Sequence, residues 1–195
     1  MRISTVVIIT FFTVTFLTST IASHYLATQL GESLNLEAEN HLITAVSSRS
    51  RHIESYIESN IKILSLITSR TALRENIANF NEHENEEDRE RILKIITDAK
   101  YPLENIREIT ILNLEGKVIT STNSNLMKNS YSNKQFFNLG RIRNDFYIIL
   151  DEANEPRIVV SGPLKKDNAL IGVAFASIDL TELHQITQDS TGLGK

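Results

Sequence analysis

Apolar residues recur at Leu34, Ala38, Leu42 and Val46, and again at Ile53, Ile57, Ile61, Leu64 and Ile67. Spacings of three and four describe one stripe along a helix. Polar residues such as Arg51, Glu54, Glu58 and Arg70 fall between them. From Tyr25 to Phe80 there is no proline and a single glycine, Gly31, so no residue forces a break. About fifty helical residues reach roughly 75 Å, more than a small globular domain needs. The reading taken is a continuous rod over residues 27–80, a lever or a dimer seam. The competing reading is a helical hairpin broken near Ser47-Ser48-Arg49-Ser50, where the stripe is interrupted. In "NEHENEEDRERILKIITDAK" the acids from Glu82 to Asp88 precede Ile92, Leu93, Ile95 and Ile96, and Lys94 and Lys100 come late. That order suits a helix dipole and predicts a second helix and connector over residues 81–104.

At Asn105 the period changes from helical to alternating. "IREITILN" and "VITST" flank a turn at Gly116 and predict a β-hairpin. A polar, turn-rich connection follows, "NSNLMKNSYSNKQFFNLG". "DFYIILDEANEPRIVVSGPL" predicts two strands around a loop at Glu152–Pro156. "KKDNALIGVAFASIDL" predicts a turn at Asp167-Asn168 and a long last strand. "DLTELHQIT" reads as a helix capped by Asp179, with Glu182 at the capping-box position. The expected fold class is α+β: long helices, then a five-stranded antiparallel sheet over residues 105–188 with flanking helices.

The first residues carry a different pattern. Residues 3–23 hold no charge, and as a helix they span roughly 31 Å, close to a bilayer core of about 30 Å. Seven Thr or Ser between Thr5 and Thr20 temper the segment, but each hydroxyl can bond a carbonyl one turn back. The expectation is an uncleaved transmembrane anchor over residues 1–26. A cleaved signal peptide, with Arg2 as its basic start and Thr20-Ile21-Ala22 as the cleavage site, is the alternative. Arg2 on one side, with Glu32, Glu37 and Glu39 the next charges, puts the N-terminus in the cytoplasm. Residues 27–195 are then extracytoplasmic, and the chain is localised to the cell membrane with one span.

Composition narrows the function classes. A net charge of −4 gives no footprint for nucleic acid. With no cysteine, disulfides, thiolate zinc sites and thiolate nucleophiles are excluded. His24, His41, His52 and His184 are dispersed, and His83 among carboxylates has no second histidine at ligand spacing. Asp151 and Glu152 read as a solvated turn rather than an acid–base pair. "GLG" near the end lacks the strand and helix of a dinucleotide loop. No metal, cofactor or enzyme activity is expected.

The anchor and rod, "ILNLEGKVITST", "YSNKQFF", "IVVSGP", "LIGVAFASIDL" and the terminal "TGLGK" occur in an order that resembles the double Cache sensor domain. That extracytoplasmic, PAS-like domain occurs in chemoreceptors, sensor histidine kinases and related transmembrane receptors. The resemblance covers nearly the whole chain. It implies a membrane-distal PAS-like module over residues 105–188, and residues 189–195 as the start of a second module. This sequence then reads as the front part of a receptor whose output domain lies beyond it.

The resemblance also implies a ligand pocket between the sheet and the connection from strand two to strand three. Residues 117–144 hold Lys117, Lys128, Lys134, Arg141 and Arg143 and no acid, a local reversal of the overall charge. A basic lid over an apolar sheet suits an anion such as a carboxylate. Members that bind amino acids carry Arg, any residue, Trp, Tyr in the lid, and an acid on the last strand for the ligand amine. Here Lys134-Gln135-Phe136-Phe137 stands in the lid, and Phe175 and Ala176 stand where that acid would be. Lysine holds a carboxylate as a point charge without the bidentate fork of arginine. A small organic anion without an amine is therefore better supported than an amino acid. The candidate ligand-binding residues are Tyr131, Lys134, Phe136, Phe137, Tyr147, Ser161 and Phe175.

The function these expectations add up to is the sensor region of a membrane receptor. It would bind a small ligand, pair as a homodimer through the long helix and pass the change to the membrane. A tethered or secreted solute-binding module without output, and a purely structural dimerisation element, are the alternatives.

Overall fold

In a computed structural model of the chain, residues 3–150, 156–181 and 183 are described. The side chains of residues 3–10, 32 and 35 are not among them. The chain divides into two units, one reaching to Ser50 and the other Arg51–Asp189. The predicted Glu152 loop, the Glu182 capping-box position, His184 and the "TGLGK" segment lie outside the described residues.

Helix α1 runs Ile3–Thr68 without a break at Ser47–Ser50, so the hairpin alternative does not occur. In the first unit its apolar side chains are exposed, from Phe11 and Phe16 through Leu26 and Leu34 to Val46. The hydroxyls of Thr15, Thr18 and Thr20 donate to the carbonyls of Phe11, Val14 and Phe16 at 2.8, 3.0 and 2.7 Å. These bonds keep the hydroxyls satisfied within the helix. Among the described residues no helix is long and apolar enough to cross a membrane. The expected span over residues 3–23 begins among the side chains that are not described.

The long helix ends earlier than the expected boundary at residue 80. After Thr68 the chain tightens, with Arg70 N–H donating to Ile67 O at 3.3 Å, and α2 starts anew at Thr71–His83. The reason is angular. Leu64 and Ile67 are buried, and so are Leu73, Ile77 and Phe80. From Ile67 to Leu73 is about one and two-thirds turns of a continuous helix, which would point the two sets apart. The break at Ser69-Arg70 re-aims the second set into the same core. Glu84, in the left-handed region at φ 46°, ends α2. Helix α3, Glu86–Lys100, follows. Asn85 caps it by accepting from Glu87 N–H at 3.0 Å, and three acids fill its first turn, as the dipole favours.

The five strands are β1 Ile106–Leu112, β2 Val118–Ser121, β3 Asp145–Leu150, β4 Pro156–Lys166 and β5 Ala169–Ile178. They form one antiparallel sheet in the order β2-β1-β5-β4-β3, with the last strand at its centre. Asp167 and Asn168, at φ 51° and 65°, make the two-residue turn between β4 and β5, as their side chains tolerate. Helix α4, Gln135–Gly140, lies in the connection from β2 to β3.

The two faces of the sheet differ. Ile109, Ile111, Ile158, Val160, Leu164, Ala174, Ala176 and Ile178 pack with the C-terminal part of α1 and with α2 and α3 in one aliphatic core. The other face carries Leu112, Val159, Val173 and Phe175 against Phe136 and Phe137 of α4. At the sheet edge β3 alternates, with Tyr147 and Ile149 toward the α4 side. Its Phe146, Ile148 and Leu150 are left exposed. The long helix is fastened just past the end of β5 and just before β1: Tyr56 Oη donates to Asp179 O at 3.2 Å, and Asn105 Nδ2 donates to Asn60 Oδ1 at 2.9 Å.

Candidate functional site

The connection between β2 and β3 is laid over the sheet as a lid by a few backbone anchors. Tyr131 N–H donates to Gly116 O at 2.8 Å, and Lys117 bridges Ser130. Gly116 sits at φ 81°, and a Cβ there would come within 2.7 Å of Ser132 N, so the hairpin turn and the lid meet at a position suited to glycine. Farther along, Ser161 Oγ donates to Phe136 O at 2.7 Å and ties α4 down onto β4.

Between lid and sheet lies a cavity of about 770 Å³. That is the size of a small-molecule site. Tyr131, Phe136 and Phe175 form its aromatic wall, with ring centroids 5.1–5.5 Å apart in tilted and edge-on arrangements. Leu126, Ile149 and Val159 add apolar surface. Lys128 and Lys134 from the lid and Arg157 from β4 bring positive charge. Glu108 from β1, Ser177 from β5 and Asn123 supply a polar floor, where Asn123 Nδ2 donates to Glu108 Oε2 at 2.7 Å. Such a site can hold a small molecule with an apolar body and charged ends. Among the described residues no cluster of His, Asp or Glu could hold a metal ion.

Of the seven residues expected in the site, Tyr131, Lys134, Phe136 and Phe175 line the cavity. Phe137, Tyr147 and Ser161 do not. Phe137 is 3% exposed in the core under α4, with the Arg141 guanidinium 5.9 Å from its ring centre. Neighbours on a helix point about 100° apart, so Phe136 and Phe137 cannot both face the cavity. Tyr147 packs in the same core with its hydroxyl buried and unpartnered. Burial first, and then the Asp145 carboxylate, raise its pKa, with Arg143 and Ser161 opposing. Ser161 is fully buried and serves as the tie to α4.

The expected basic lid is smaller than its sequence. Arg143 pairs with Asp145 at 2.6 Å, and Arg141 lies over Phe137. Lysines 128 and 134 reach the cavity, while Lys117 does not line it. Arg157 and Glu108 went unnoticed as site residues. Arg157 is the one charge in "PRIVVSG", a signal that could have found it, whereas Glu108 stands beside Arg107 in "IREITIL" and carries no such signal.

No family model and no curated protein matches the chain. Solved structures do match. The sensor domain of the V. cholerae histidine kinase DctB superposes with a TM-score of 0.67 at 16% identity, over 77% of this chain and 59% of that one. The ligand-binding domain of the Pseudomonas aeruginosa amino acid chemoreceptor PctC, solved with GABA, gives 0.59 at 18% identity, over 77% and 65%. A domain of a sensory box/GGDEF family protein from Vibrio parahaemolyticus gives 0.56 at 11% identity, over 76% and 64%. The chain therefore has the fold of the Cache/PAS-like sensor domains. It spans about three fifths of the length of the solved domain from DctB.

Proposed function

We propose that the chain is the extracytoplasmic sensor region of a membrane signal-transduction receptor, and that its lid-covered cavity takes a small organic anion. The observation that carries this reading is the cavity itself. It is about 770 Å³ in volume, walled by three rings in tilted and edge-on contact, and lined by Lys128, Lys134 and Arg157. Sensor and ligand-binding domains of histidine kinases and chemoreceptors share the fold. The reading includes an anchor within residues 1–26, residues 27–195 outside the cytoplasm, a homodimer seam along α1, and no catalytic step in this chain. Uncharged residues 3–23, with hydroxyls bonded back to the helix, support the anchor. The fastening of Tyr56 to Asp179, just past the strand that carries Phe175, and of Asn60 to Asn105, just before β1, supports passage of the signal into α1.

The test is thermal unfolding of the full chain in detergent against a panel of small carboxylates. A ligand at a hundred times its Kd stabilises by about 2.7 kcal/mol, a clear rise in Tm. Lys134→Ala should weaken that rise. A panel in which no compound moves Tm, or in which the rise is unchanged by Lys134→Ala and Arg157→Ala together, sinks the anion site.

A further inference from the structure

Strand β1 does not run evenly beside β5. Ile106 is opposite Ile178 and Glu108 is opposite Ser177, so β1 holds one residue more, a bulge at Arg107. Arg107 is exposed, and its Nε donates to Asp179 Oδ2 at 2.9 Å. Ile106 and Ile109 both belong to the aliphatic core. Strict alternation from Ile106 would send Glu108 into that core and Ile109 away from it. The bulge reverses the phase, and Glu108 enters the cavity instead.

The cavity therefore has two unlike ends. Lys128, Lys134 and Arg157 bring positive charge to one. At the other, Glu108 is 7% exposed and accepts one hydrogen bond, from Asn123. Among the described residues it forms no ion pair. Ser177 beside it is 1% exposed, and its Oγ has no hydrogen-bond partner. Ser177 is also opposite Val159, and Arg157 lies two residues from there along β4. Two strand spacings across and two residues along put the Cα atoms of Glu108 and Arg157 roughly 12 Å apart.

A ligand carboxylate at the cationic end leaves the far end of the molecule beside Glu108. A second negative charge there would meet a buried carboxylate, which costs about a hundredfold in affinity or more. The neutral group that fits is a hydroxyl. Glu108 accepts hydrogen bonds, and the Ser177 hydroxyl has a proton to give and no acceptor. A ligand hydroxyl donates to the first and accepts from the second. An ammonium group carries donors only and leaves the Ser177 proton unmatched.

We propose that Glu108 is a charge-excluding residue, and that the cavity takes a monocarboxylate with a hydroxyl at its far end. The ligand class is ω-hydroxy or hydroxyaryl acids, and dicarboxylates are rejected. The apolar body of the ligand lies along Tyr131, Phe136 and Phe175. This rests on the reading of the cavity as an anion site and names the anion's class.

The experiment is thermal unfolding and calorimetric titration of the full chain in detergent with two matched series. One is ω-hydroxypentanoate, pentanoate, ω-aminopentanoate and glutarate. The other is para-hydroxyphenylpropanoate, phenylpropanoate and para-carboxyphenylpropanoate. In at least one series the hydroxy acid should bind best, the plain acid about tenfold more weakly, and the dicarboxylate should leave Tm unmoved. Glu108→Gln, which keeps an acceptor for Asn123, should let the dicarboxylate bind, a gain that damage to the fold cannot mimic. Should that variant fail to fold, the order of binding to the wild type decides. A dicarboxylate or the amino acid binding the wild type as tightly as the hydroxy acid overturns the inference. So does a folded Glu108→Gln that still rejects the dicarboxylate. If both series are silent while another carboxylate raises Tm, the inference falls and the anion site stands. Silence from every carboxylate sinks both.

Discussion

The two faces of the sheet are built from the same strands for opposite ends. Along β1, β5 and β4, the residues facing α2 and α3 are Ile109, Ile111, Ala174, Ala176, Ile178, Ile158, Val160 and Leu164, with no polar side chain among them. Their alternate neighbours on the lid side include Glu108, Thr110, Ser161 and Ser177, all buried and all polar. The first face is a dry aliphatic layer whose contribution is burial. The second keeps polar groups in a low-dielectric setting and leaves about 770 Å³ beside them unfilled. Stability is concentrated on one side of a sheet one residue thick, and selectivity on the other.

That contrast can be broken or sharpened by substitution. The largest effect is expected on the helix side. Ile109→Ala removes a side chain with no exposed surface and should cost about 2–5 kcal/mol in urea unfolding. Ile149→Ala, on the cavity wall, should cost roughly 1–2 kcal/mol, because that side chain is already partly open. Equal losses would erase the distinction between the faces. Next comes Ser161→Ala, which removes the tie from Ser161 Oγ to the Phe136 carbonyl. About 0.5–1.5 kcal/mol should be lost, with faster amide exchange across α4. Unchanged exchange there would mean that the lid is held by something else.

A smaller effect is expected with pH. Asp179 is held down to about 2, first by the side-chain and backbone bonds from Thr181 and then by Arg107. Its folded value lies below the unfolded one of about 3.9, so its contribution is fully present above that value. It is lost as the pH falls from about 4 toward 2. Asp179→Asn should flatten the unfolding profile over that interval, and a variant that follows the wild-type curve would remove Asp179 from the account. The smallest change is Tyr147→Phe. It deletes a buried hydroxyl that has no partner, so stability should stay within about 0.5 kcal/mol or rise. A loss well above that would reveal a polar contact on the lid side that the geometry does not contain.

Much of the fold was legible because period is a local property. The switch at Asn105, the Gly116 hairpin, the Asp167-Asn168 turn and the strands each follow from residues close in sequence. The break at Ser69-Arg70 was not legible, since helix propensity runs through it. It exists because Ile67 and Leu73 must both reach a core made by distant strands. The site was half legible for the same reason. Aromatic residues and lysine in the lid announce a cavity, but Phe136 and Phe137 are chemically identical, and only the docking of α4 selects one. Glu108 reads as a solvent-facing charge until the register sets it opposite Ser177 and the lid closes over both. Paired strands have no polar–apolar alternation to read when both faces are covered, as the "IVV" of β4 illustrates.

The fastening of α1 has a consequence for how such a molecule can change over generations. Tyr56 grips the carbonyl of Asp179, and Asn60 grips Asn105, so no residue between Thr122 and Asn144 takes part. The lid can be rewritten for a new chemical vocabulary while the grip stays as it is. What cannot be rewritten independently is the end of β5, because Ser177 on the strand and Asp179 just past it are two residues, roughly 7 Å, apart. Novelty is cheap at the lid and constrained on that strand, so new specificities are expected to arise at the lid first.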